Sequence, residues 1–75
     1  MSEIKEENRS ARFKRVAERR TKAVLRSIRI LGNCSNKSAY QYSDEEIAKI
    51  FKAIEDQIRL TKARFQKSKN IKFTL

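Results

Sequence analysis

Six basic residues, Arg12, Arg15, Arg19, Lys22, Arg26 and Arg29, follow one another at intervals of 3, 4, 3, 4 and 3. Only a helix turns that rhythm into a surface. At about 100° per residue, all six fall within about one third of the circumference. Phe13, Ala17, Val24, Ile28 and Leu31 fall on the opposite side. The spacing therefore predicts an amphipathic helix with an apolar stripe on one side and, behind it, a ladder of cations rising about 1.5 Å per residue.

Residues 9–29 hold nine Lys or Arg against one acid, Glu18. A solvated helix face normally mixes signs, with acids and bases four residues apart. This one pairs almost nothing, and Arg dominates it, whose planar fork suits phosphate oxygens better than an ammonium does. The ladder is therefore expected to lie along an anionic polymer, most economically a nucleic-acid backbone. The chain as a whole carries a net charge of +10, and 37% of its residues are charged, against a usual share of about a quarter.

The same 75 residues hold no proline, no histidine and one cysteine, Cys34. An internal disulfide, a thiolate metal cluster, imidazole catalysis and His-ligated metal sites are thereby excluded, and no metal or other cofactor is expected. Apolar runs are three residues or shorter, too short to span a membrane. The N-terminal residues are polar and lack the apolar core of a signal peptide. A cytoplasmic protein is the expectation.

Gly32, the single glycine, follows Ile30 and Leu31 and reads as a left-handed residue that stops the first helix, placed at 10–31. Residues 32–42 form a polar connector. Ser43, followed three residues later by Glu46, reads as a capping box. It opens a second helix, placed at 44–68, with Ile47, Ile50, Phe51, Ile54, Ile58, Thr61 and Phe65 along one face. Residues 70–75 alternate apolar and polar, the pattern of an extended tail. The expected fold is all-α: one small domain, an antiparallel two-helix hairpin with a structured connecting loop. Chains this small usually need a staple or a partner. Val16, Leu25, Ile30 and Leu60 also lie off the main seam, so self-association into a four-helix arrangement, a homodimer, is expected.

In the second helix the acids Asp44, Glu45, Glu46, Glu55 and Asp56 come early. Arg59, Lys62, Arg64, Lys67, Lys69 and Lys72 come late and read as meeting no acid. In a hairpin, Arg59, Lys62, Lys67 and Lys69 would extend the positive surface beside Arg12 and Arg19. Asn33, Ser35, Asn36, Ser38, Tyr40 and Tyr42 give the connector much hydrogen-bonding capacity. The loop reads either as a cap closed by local backbone bonds or as a recognition tip made of Asn36, Lys37 and Tyr40, with Tyr40 stacking and Lys37 steering. Cys34 reads as a small, partly buried apolar residue.

Leu31-Gly32-Asn33, Ser35-Asn36-Lys37-Ser38, Tyr40 and Tyr42, and then Ile47, Ile50-Phe51 and Ile54-Glu55 resemble small, basic, functionally uncharacterised helical proteins of bacterial plasmids and phages. The resemblance implies a mobile-element origin and carries over no activity or functional residue.

No catalytic constellation is evident. The carboxylates sit at a helix start or among bases, and a two-helix hairpin has little interior in which to shift a pKa. One glycine cannot build a phosphate-binding loop, so an enzyme is not expected. The expected function is that of a nucleic-acid-binding accessory protein, contacting the DNA or RNA backbone without strong sequence preference. The alternative is a protein-interaction module or inhibitor whose basic face docks on a larger nucleic-acid-processing machine or ribonucleoprotein assembly.

Overall fold

A computed structural model of the chain describes residues 7–69, with side chains described for residues 7–66. The extended tail expected at 70–75 lies outside the described residues. The described residues hold two α-helices and no strand: α1, Arg9–Gly32, and α2, Asp44–Lys69, with a short 3-10 turn at Asn33–Ser35. The chain divides into two units, Met1–Tyr40 and Gln41–Leu75.

In the first unit, α1 starts from Asn8, whose backbone is extended and whose Oδ1 accepts the Ala11 N–H at 2.7 Å. That bond satisfies one of the orphan N–H groups every helix start leaves open. With no proline and no interior glycine to break it, α1 runs 24 residues without interruption. Its far end departs from the sequence expectation. Gly32 sits at φ −58° and ψ −23°, in the right-handed region, and no described residue has positive φ. The helix stops by tightening: the Asn33 N–H reaches the carbonyls of both Ile30 and Leu31 as the chain winds into the 3-10 turn. That winding satisfies the last carbonyls without a left-handed residue.

Asn36 then ends the turn with extended backbone, φ −69° and ψ 103°. Its Oδ1 accepts the Ser38 N–H at 3.0 Å, and its carbonyl accepts the N–H groups of Ala39 at 3.1 Å and Tyr40 at 2.9 Å. One asparagine therefore organises the connector, by the local side-chain-to-backbone bonding this residue type favours.

In the second unit, α2 opens with the capping box. The Ser43 N–H donates to Glu46 Oε1 at 2.8 Å, and the Glu46 N–H donates to Ser43 Oγ at 3.1 Å. Asp44, Glu45 and Glu46 put three carboxylates on the positive end of the helix, where the dipole favours them.

Among the described residues none is buried. Val16, Ala17 and Leu31 in the first unit and Tyr42, Ile47 and Ile54 in the second are half-buried. The rest of each apolar stripe faces solvent, from Phe13 at 56% and Val24 at 54% exposure on α1 to Phe65 at 59% on α2. No described helix is long and apolar enough to cross a membrane.

Candidate nucleic-acid interface

All six ladder residues lie on α1 and all are exposed. Because the helix is unbroken from Arg12 to Arg29, their Cα atoms occupy one arc about 26 Å long at the α-helical rise. The main apolar stripe occupies the other side; Ile30 is an exception, about five turns beyond Arg12 on the cation arc and exposed.

Two of the six are compensated, which corrects the expectation that the ladder pairs almost nothing. Arg15 donates from Nε to Glu7 Oε2 at 2.8 Å and from Nη2 to Glu7 Oε1 at 3.0 Å, a two-pronged fork on one carboxylate. Helical side chains lean towards the N-terminus, which carries the Arg15 guanidinium back to the residue just ahead of the Asn8 cap. Lys22 lies 3.2 Å from the Glu18 carboxylate four residues earlier, the favourable order for such a pair. Arg12, Arg19, Arg26 and Arg29 make no ion pair with a described acid. Among the described residues these four are the part of the track without an ion pair, and Arg12 still feels the Glu7 charge.

The Glu7–Arg15 fork also shifts both groups. The hydrogen bond from Arg15 chiefly, with the charges of Arg15 and Arg12 added, holds the Glu7 carboxyl below its ordinary range. The same bond raises the Arg15 guanidinium above its own. A depressed carboxyl pKa means that the contact is fully present above the ordinary carboxylate range. It is lost as pH falls through the lowered value.

On α2, Arg59, Lys62, Lys67 and Lys69 step by 3, 5 and 2. At about 100° per residue Arg59, Lys62 and Lys69 share an arc of about 80°, with Lys67 about 80° further round. Arg59, expected to meet no acid, pairs with Asp56, and the same carboxylate takes Lys52 at 3.1 Å. Asp56 is half-buried between its two partners. Lys62 is exposed and forms no ion pair with a described acid. Lys67 and Lys69 are on α2, with side chains outside those described.

In the connector, the Asn36 side-chain oxygen is engaged with Ser38, which assigns this residue a structural task. Lys37 is exposed and Tyr40 is 54% exposed, held by its own N–H to Asn36. Cys34 is free and exposed rather than partly buried, because the three-residue turn that carries it has no inside of its own. No group of three or more potential metal ligands occurs among the described residues.

Sequence reasoning missed Asn8 as the cap, although an Asn three residues ahead of Ala11 at a helix start is the usual signal. It also missed the Glu7–Arg15 fork, whose eight-residue separation matches no helical spacing rule. Comparison with family models, curated proteins and solved structures returns no match for the chain.

Proposed function

We propose that the protein is a nucleic-acid-binding accessory protein that lays α1 along a phosphate backbone. The observation that carries this reading is the set of exposed arginines Arg12, Arg19, Arg26 and Arg29, none in an ion pair with a described acid, on one arc of an unbroken helix. Such an arc is self-repelling in isolation and gains when it neutralises the phosphates of an anionic polymer, whose condensed counterions are then released to the solvent. The arc carries no aromatic residue and so offers no base-stacking platform of the kind single-strand readers use. Contact with the backbone, tolerant of sequence, is the mode that fits.

We further propose the antiparallel hairpin as the working form, with two hairpins joining into a four-helix homodimer. The two apolar stripes support it by their spacing. On α1, Phe13, Ala17, Val24, Ile28 and Leu31 step by 4, 7, 4 and 3. On α2, five of the seven face residues, Ile47, Ile50, Ile54, Thr61 and Phe65, step by 3, 4, 7 and 4, the α1 steps reversed, with Phe51 and Ile58 on the same face between them. Antiparallel pairing would set Phe13 against Phe65, Val24 against Ile54, Ile28 against Ile50 and Leu31 against Ile47, each worth about 1.5–3 kcal/mol per side chain fully buried.

The test is fluorescence anisotropy with labelled duplex DNA, single-stranded DNA and an RNA hairpin across a salt series. Four engaged cations give a slope of log affinity against log salt of about −3.6 on duplex DNA, and six give about −5.4. The triple variant Arg12→Glu/Arg19→Glu/Arg26→Glu should lose binding while its circular dichroism remains helical. Retained affinity in a helical triple variant would sink the proposal.

A further inference from the structure

We infer that Arg15 is a phosphodiester subsite of the α1 track and that the Glu7 carboxylate is its resident occupant, displaced when a nucleic-acid backbone binds. This rests on the reading of α1 as a backbone track. The geometry supports it directly. Glu7 presents two oxygens to Nε and Nη2 of one guanidinium at 2.8 and 3.0 Å. A phosphodiester offers its two non-bridging oxygens to the same edge of an arginine. A carboxylate and a phosphate therefore compete for one fork, and both cannot hold it at once.

The position of Glu7 makes the exchange feasible. It lies outside α1, one residue ahead of the Asn8 cap, so releasing its side chain breaks no helical hydrogen bond. Asn8 holds the helix start through its own Oδ1 on the Ala11 N–H. The contact is also open to solvent, with Arg15 at 53% and Glu7 at 33% side-chain exposure, so an incoming anion reaches it without unfolding anything. Glu18 beside Lys22 differs: both of its residues are on the helix and it makes a single ammonium contact at 3.2 Å, with no fork for a phosphate to inherit. Glu7 thus tunes the affinity of the track. The chain reaches full cationic strength at Arg15 only when a stronger bidentate anion is present.

Anisotropy of a labelled duplex DNA, read for the wild-type chain, Glu7→Gln, Arg15→Gln and the double variant, tests the exchange. Glu7→Gln should bind several-fold more tightly with a salt slope close to that of the wild-type chain, because Arg15 contacts a phosphate in both complexes. A slope steeper by about 0.9 would mean that Glu7 stays on Arg15 in the wild-type complex and would overturn the exchange. In the Arg15→Gln background the same change should have little effect, because the coupling belongs to the pair. An unchanged or weakened Glu7→Gln variant overturns the inference and leaves the α1 track standing. An equal gain in the Arg15→Gln background also overturns it, since removal of any negative charge would then suffice. Absence of binding by every form at low salt overturns the track and the subsite together.

Discussion

Gly32 holds right-handed backbone, and a Cβ built on it meets nothing within 4 Å. Its conformational freedom is therefore a cost in the unfolded chain with no return in the folded one. Gly32→Ala should stabilise α1 by about 0.5–1 kcal/mol, measured as a higher midpoint in thermal or urea melts followed by circular dichroism. A loss of stability would instead place a left-handed residue there. The expectation from sequence went the other way because glycine at the end of a helix is compatible with both conformations. The choice between them was made by the next residue: Asn33 turns its N–H onto Ile30 and Leu31 and draws the chain into a 3-10 turn. Nothing in the identity of residue 32 encodes that.

At the scale of the elements, what could be read ahead was whatever obeys a local spacing rule. The Ser43–Glu46 box is an i, i+3 pattern and forms with both of its reciprocal bonds. Ser43→Ala should cost the second unit about 1 kcal/mol, seen as fraying of α2 from its start in amide hydrogen exchange. Unaltered protection at Ile47 and Ala48 would mean the cap is dispensable. The cation arc of α1 was legible for the same reason, since the 3-4 rhythm of its six residues needs only a continuous helix. Its compensation was legible only in part. Glu18 and Lys22 are four apart and pair, and Asp56 with Lys52 does likewise. The Glu7–Arg15 fork depends on which way a long side chain leans beyond a helix start, and spacing does not record it.

At the scale of the molecule, two long helices stand with no buried residue among those described. Isolated helices are marginal in water, and most helical stability in proteins comes from packing an amphipathic face. Large apolar side chains such as Leu60 at 62% exposure and Phe13 at 56% remain to be covered. If association covers them, it also stabilises the helices by mass action. Dilution should lower the helical circular dichroism signal and the melting temperature together. Sedimentation equilibrium at the higher concentrations should return twice the 8.9 kDa chain mass. A concentration-independent melt at the mass of one chain would rule out the four-helix assembly.

The uniformly negative φ angles of the described residues carry a consequence for mutational scanning. Where a fold depends on left-handed turns, an alanine scan mixes two effects, lost side-chain contacts and backbone strain, and they cannot be separated position by position. In this chain no described position charges alanine for its backbone geometry. With Gly32 set aside, a scan through residues 7–66 would therefore be free of left-handed strain, and a position that loses function or stability would mark a contact, a cap or a ligand.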